Sequence, residues 1–447
     1  MPMRSSRWIQ RILSGTLVML ALLSTARLAM ADTVPQYTLS DLFQRALNRA
    51  EQIQQARESV YITRQTKSKA LSVLQPSVTA FGDATRYAHK EVYMGNRITP
   101  ESEVTWGVRM DQSFTLNGKE LTALEIAKTD IQRSEYELDA TTEGYLFETA
   151  SAYYDVLKAQ EAVAISEANV RRLETQVNSV KARLKLEEVA QTELFRTNAE
   201  LSGAEKDLIV AQNQLRLARA VLARLVDLPD TYDLITPPDA TIADEAAGLE
   251  TLKLKALDNR AEMRALNLAV KLAADEVKFT RGDYWPSVGI TGMYANSDAK
   301  PSEPYEPIES LSVGVNLTFR IYDGGLRRAN LEQALARKRQ AEQQQRDTAR
   351  AVGVEVERAY LNLSTRKSTL TALEKQLRFA LENYKAVERQ FKYGMANSVD
   401  VVDANTLLTT AERQLADARL SLAFSRLELE RATGTFLLAH GPKHPSP

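Results

Sequence analysis

Two carboxylates three residues apart, Asp400 and Asp403, form the sharpest chemical pattern in this sequence. On a helix that spacing puts both on one face, where they could concentrate negative potential and hold a cation. The same residues also fit a purely structural role. Asn397 or Ser398 precedes them as an N-cap, and the helix dipole favours acidic side chains in a first turn. Little else here could do chemistry. The 447 residues include no cysteine, which removes disulfides, thiolate metal sites and cysteine nucleophiles. Only three histidines occur, His89, His440 and His444, the last two near a Pro-containing end. There is no Ser-centred nucleophile elbow, phosphate-binding glycine loop or metal-spaced histidine cluster. No enzymatic activity and no cofactor is expected.

Lys plus Arg number 57 and Asp plus Glu 58, a balance that argues against a nucleic-acid partner. With 18 Gly and 14 Pro, breakers are scarce for so long a chain, so its elements must be long. From Gly118 to Glu187, and from Gly325 to Tyr393, there is no Pro and almost no Gly. Each run predicts a helical rod of roughly 100 Å. Its later half carries a 3-4 spacing: Val156, Ala159, Val163, Ser166, Val170, Leu173, Val177, Val180, Leu184. Leu194, Thr197, Leu201, Ala204, Leu208 and Ala211 continue that spacing after a short reversal, as do Val401, Ala404, Leu408 and Ala411 later on. Such seams predict antiparallel coiled-coil hairpins. The flanking charges Arg171, Arg172, Glu174, Lys181 and Arg183 read as a solvated face.

The chain is written twice. Gln75-Pro76-Ser77-Val78 returns as Trp285-Pro286-Ser287-Val288, and Asn48-Arg49-Ala50-Glu51 as Asn259-Arg260-Ala261-Glu262. An offset of about 207 residues pairs Glu148 with Glu355, Tyr153 with Tyr360, Leu201 with Leu408 and Arg224 with Arg431. The expected organisation is a signal peptide at 1–31, a first repeat at 32–226, a linker at 227–250, a second repeat at 251–434 and a tail at 435–447. Within each copy a helical stretch (39–74, 250–283) leads through two extended segments into the long helix and its return. Turn formers mark loops at 89–102 and 297–310.

Arg4, Arg7 and Arg11, the apolar run from Ile12 to Leu23, and Ala29-Met30-Ala31 make a secretory signal peptide, too short an apolar run for a spanning helix. The exported chain could enter a membrane only as a closed barrel. Its extended segments alternate suitably: Leu311, Val313, Val315, Leu317 and Phe319 against Ser312, Gly314, Asn316, Thr318 and Arg320, and Val104, Trp106, Val108 and Met110 against Thr105, Gly107, Arg109 and Asp111. A half-buried hairpin of a soluble sheet alternates identically. Four strands cannot close a membrane barrel, so a barrel would need several protomers.

Three stretches resemble the TolC family of outer-membrane efflux channels. They are Pro286-Ser287-Val288 behind the Asn259-Arg260-Ala261-Glu262 helix; Phe319-Arg320-Ile321-Tyr322-Asp323-Gly324-Gly325; and Tyr393-Gly394 with Val399-Asp400-Val401-Val402-Asp403-Ala404 and a helix closing at Thr433-Gly434. The resemblance spans about 39–437. It implies a mostly α protein with a small β part, a TolC-like trimeric α-barrel of long coiled-coil hairpins plus four strands per protomer towards a twelve-stranded transmembrane β-barrel. It implies an exit duct across periplasm and outer membrane, gated at the periplasmic tip. The implied partners are two further copies in a homotrimer, a periplasmic adaptor, outer-membrane lipid and an inner-membrane transporter of the resistance-nodulation-division, ABC or major-facilitator type.

Carried over position by position, the resemblance places Asp400, Asp403 and Glu193 in acidic rings at the aperture. It places Glu188, Val189, Ala190, Gly394, Met395, Ala396, Asn397 and Ser398 at the tip that meets the adaptor. Ala396 and Phe391 stand where some members carry an Arg and a Tyr that latch the tip, and Glu187 stands where the first reversal is expected to have glycine. Other contacts must therefore hold this gate. A secreted coiled-coil assembly or adaptor protein without a barrel is the alternative; it explains the hairpins but not the alternating strands.

Overall fold

A computed structural model describes residues 35–88, 92–93, 96–97, 99–229, 231–236, 248–300 and 308–442. The signal peptide and parts of both expected loops lie outside them. The chain runs α1 (Leu39–Arg49), α2 (Glu51–Ser72), β1 (Ser77–Arg86), β2 (Ser102–Thr115), α3 (Lys119–Lys185) and α4 (Gln191–Val226). It then repeats that order as α5 (Leu249–Asn259), α6 (Ala261–Arg281), β3 (Ser287–Lys300), β4 (Ile308–Thr318), α7 (Leu326–Lys392) and α8 (Ser398–Ala432), followed by a short α9 (Phe436–His440). Two departures from expectation appear here. Each opening helical stretch is broken, at Ala50 (φ −62°, ψ 120°) and at Arg260 (φ −62°, ψ 127°). Strands also run further into the second loop than the turn residues suggest, to Lys300 and from Ile308.

The four long strands form one antiparallel sheet in the order β1-β2-β3-β4, so the two copies join through β2 and β3. Directly paired residues share a face. One face gathers Val78, Ala80, Val104, Trp106, Val108, Met110, Ile290, Tyr294, Leu311, Val313, Val315 and Leu317. The other carries Arg109 paired to Asp111 at 2.8 Å, Thr291 donating to Asp111, and Ser297 donating to Glu103 at 2.7 Å. Among the described residues no layer covers the apolar face: Leu311 is 81% exposed and Val313 77%. An uncovered apolar sheet of this size needs lipid or a partner, and its strands have the length that a tilted membrane span takes.

The rods α3 and α7 each have 67 residues, roughly 100 Å at 1.5 Å per residue. Each turns back onto a shorter return helix, α4 or α8, as an antiparallel pair. The predicted seam is buried at Val156, Ser166, Leu173, Val177 and Val180. The main core lies where α1, α3 and α4 cross, around Leu42, Phe43, Leu146, Tyr153, Leu222 and Val226. A second core joins Leu252, Ala256, Met263, Val352, Val356 and Leu429. The segment 435–447, read from sequence as a tail, begins with α9, whose Phe436 is fully buried against Phe43 and Phe147. Three pairs of residues at the repeat offset take the left-handed conformation: Gly118 and Gly325, Glu187 and Gly394, Asp227 and Gly434. Among the described residues, no helix is long and apolar enough to cross a membrane.

Candidate channel aperture

The two rods end at reversals that meet. The α3–α4 turn (186–190) and the α7–α8 turn (393–397) flank one apolar cluster of Val180, Phe391 and Val401, with Val189, Leu194 and Ala396 against it. In the second turn Gly394 takes φ +75°, its N–H bonds Phe391 O, and Met395 N–H bonds Gln390 O at 2.8 Å. That left-handed residue stops the helix and satisfies its last carbonyls. The first turn closes the same way, but Glu187 occupies the left-handed position (φ +62°). Glycine is absent where the geometry favours it.

The acidic residues divide by their surroundings. Asp400 is the N3 residue of a capping box: its own N–H donates to Asn397 Oδ1 at 3.0 Å, and its Oδ2 accepts from Asn397 N–H at 3.0 Å. Both readings of the pair thus meet in one exposed residue. Asp403, one turn on, is exposed and makes no hydrogen bond or ion pair among the described residues. Glu193 sits at the matching place in copy one, but its N-cap is Ala190, which has no side chain to complete a box. Glu193 Oε2 is buried without a partner among the described residues. Of the tip residues, Glu188, Ala190, Gly394, Met395 and Asn397 are exposed, Val189 and Ala396 are half-buried, and Ser398 is buried at 1% exposure.

Two of the five flank charges are not solvated as expected. Arg172 leaves α3 towards α8, donating to Asn405 Oδ1 at 2.8 Å, Thr409 Oγ1 at 3.0 Å and Glu412 Oε2 at 2.9 Å. Asn405 in turn donates to Asn169. Arg183 reaches the end of α7, where it donates to the carbonyls of Phe391 and Lys392 and lies 4.2 Å over the Phe391 ring. Asn169, Arg172, Gln176, Val180 and Arg183 recur at 3-4 spacing and line one face. That second stripe, beside the Leu173 seam, was the available signal. It marks the face on which the second hairpin leans.

Further up α3, Glu143 faces a cavity of about 30 Å³ lined by Gly144, Arg260, Glu262 and Arg431. Burial pushes its carboxyl up to about 7, against the opposing pull of Arg260 and Arg431.

The sequence pattern that defines the outer membrane efflux protein family matches residues 42–226 and 253–435. The chain belongs to that family. The outer membrane protein TolC of Vibrio cholerae is 25% identical over 321 residues, 70% of this chain and 73% of that protein. The outer membrane efflux protein BepC of Brucella suis is 23% identical over 424 residues, covering 95% and 88%. The fold is that of solved channels. The Campylobacter jejuni CmeC outer membrane channel superposes with a TM-score of 0.80 at 15% identity over 89% of this chain and 86% of that one. The Vibrio cholerae outer membrane protein VceC superposes with a TM-score of 0.78 at 19% identity, covering 89% and 96%. This family member is therefore an outer-membrane channel protein of efflux or secretion, built from long helices and a small sheet, and the barrel-free alternative falls away. The family is one of passive channels, not enzymes.

Proposed function

We propose that three copies of this chain close a single conduit, with β1–β4 of each contributing to a twelve-stranded barrel in the outer membrane and the hairpins forming a helical duct in the periplasm. The observation that carries this reading is the four-stranded sheet itself. Among the described residues it has one uncovered apolar face, one polar face and two unpaired edges. Four strands are too few to close, whereas lipid demands that every edge be paired. Joining copies edge to edge satisfies both demands.

At the opposite end the hairpin reversals make the aperture. Three-fold repetition turns Glu193, Asp400 and Asp403 into rings of negative charge, which favour cations over anions in a narrow pore. Glu188, Gly394, Met395 and Asn397 form the exposed tip that meets a periplasmic adaptor. The driving force comes from an inner-membrane transporter, since the duct has no means of using energy. Named relatives serve different cargoes, among them an alkaline protease secretion protein and a pyoverdine export outer membrane protein, both of Pseudomonas aeruginosa. That spread supports a reading in which cargo selection lies with the transporter.

Planar-bilayer recording tests the aperture. Wild-type protein should show small, cation-selective conductance, and Asp403→Ala should reduce selectivity without loss of folding because Asp403 makes no hydrogen bond or ion pair among the described residues. Selectivity identical to wild type in Asp403→Ala and in the Asp400→Ala, Asp403→Ala double variant would refute the acidic-ring role. A strictly monomeric detergent species would refute the conduit.

A further inference from the structure

We propose that Arg183 is the clasp that holds the two hairpin ends of one protomer together, a positioning residue for the aperture. The proposal rests on the channel reading above. Arg183 stands in the last turn of α3, and its backbone carbonyl accepts from the N–H groups of Leu186 and Glu188, which fixes it to the first reversal. Its guanidinium crosses to the second reversal. There it meets the carbonyl groups of Phe391 and Lys392, the final residues of α7, with Lys392 O at 2.9 Å. Carbonyls at a helix C-terminus carry the negative end of the dipole, so a cation suits them even where, as at Phe391 O, the Gly394 N–H already donates.

The same guanidinium stacks 4.2 Å over the ring of Phe391, which is itself 3% exposed between Val180 and Val401. Arginine is the side chain that can do both at once, because its planar fork stacks while its edges donate. Among the described residues it is the one charged side chain that bonds across the two reversals. The next polar link between the hairpins is Arg172, eleven residues and three turns up the rod. Between the two, among the described residues, Leu173, Val180, Val401 and Val402 supply apolar contact. With Ala396 unable to form a polar latch, this contact is the polar link added to the apolar cluster at the tip, and an aromatic ring at 391 serves it without a hydroxyl.

The chain has no cysteine, so Glu188→Cys and Tyr393→Cys accept spin labels at two exposed tip positions without background. Labelled chains diluted among unlabelled ones report the distance across a single protomer by pulsed EPR. Arg183→Met keeps the stem and removes the fork; it should lengthen and broaden that distance and raise the open population in bilayers roughly tenfold. Arg183→Lys keeps the charge but not the stack and should fall between. Phe391→Leu keeps the apolar fill and should lengthen the distance less, which provides a second arm if Arg183→Met folds poorly. An unchanged distance in both Arg183→Met and Phe391→Leu overturns the clasp, whatever the conductance. A lengthened distance in a protein that never conducts supports the clasp and sinks the channel reading instead.

Discussion

The two copies of the repeat meet identical backbone demands with different side chains. Gly118 and Gly325 start the rods, Glu187 and Gly394 close the reversals, and Asp227 and Gly434 end the return helices, all with positive φ. Copy two uses glycine each time; copy one keeps it only at the first. Where copy one departs, side chains have taken on other work. Asp227, for instance, pairs with Arg49 of α1, tying the return helix to the opening one. At the hairpin ends the contrast reverses: copy two has the full Asn397–Asp400 cap, while Ala190 leaves Glu193 uncapped. Duplication preserved the geometry, and the chemistry drifted wherever a backbone constraint could tolerate a Cβ.

Substitutions that swap the copies test this directly. The largest effect is expected from Gly434→Asp, the copy-one residue placed in copy two. A Cβ there would lie 2.7 Å from Arg260 N and 2.9 Å from Asn259 C, both backbone atoms. Thermal melting should register a loss of about 3 kcal/mol. Asp227→Gly, the reverse exchange, should shift stability by no more than about 0.5 kcal/mol, as relief of φ offsets a lost exposed ion pair.

Next comes Glu143, whose counterpart at the repeat offset, Arg350, lies in an exposed pair with Asp347. The Glu143 carboxyl titrates near 7 in the fold against 4.5 for an unperturbed glutamate. Its stabilising contribution is therefore complete below pH 4.5 and is lost as pH rises through 7. Glu143→Gln should gain on the order of 2 kcal/mol at pH 8 and nothing at pH 4, read as Tm at the two pH values. An equal gain at both would place the effect in packing, not ionisation.

Asn397→Ala removes the cap of α8 and should cost about 1 kcal/mol, while Ala190→Asn should stabilise α4 by a similar amount in denaturant melts. The latter would also draw Glu193 into a capping box and so remove it from the proposed acidic ring. Glu187→Gly should stabilise by somewhat under about 1 kcal/mol. Gly394→Glu should cost as much, since nothing lies within 4 Å of its missing Cβ.

Much of the fold is legible in the sequence because it follows from periodicity. The 3-4 spacing of Leu173, Val177 and Val180 locates the seam, and the alternation at Leu311 to Leu317 gives the sheet face. Periodicity also has a limit here. It identifies the face that meets the partner helix but not a second hairpin leaning on the flank, so Arg172 and Arg183 look solvated in sequence. The breaks at Ala50 and Arg260 carry neither Gly nor Pro; at Arg260 the side chain is held by a tertiary pair to Glu355, which no local signal announces. Phe436 looks like part of a tail because its partners Phe43 and Phe147 lie hundreds of residues earlier. At the aperture the residues are legible but their division is not. Asp400 is bound by its cap and Asp403 is free, and that difference depends on backbone geometry at Asn397.

The bare edges of the sheet bear on how the molecule reaches its destination. A solitary copy offers two open rows of amide and carbonyl groups alongside a greasy face, and it would be stranded in either medium: insoluble in the aqueous envelope, yet too polar along its rims to rest in lipid. In the edge-to-edge assembly proposed above, insertion and association would therefore be coupled, because each joined edge removes one of those open rims.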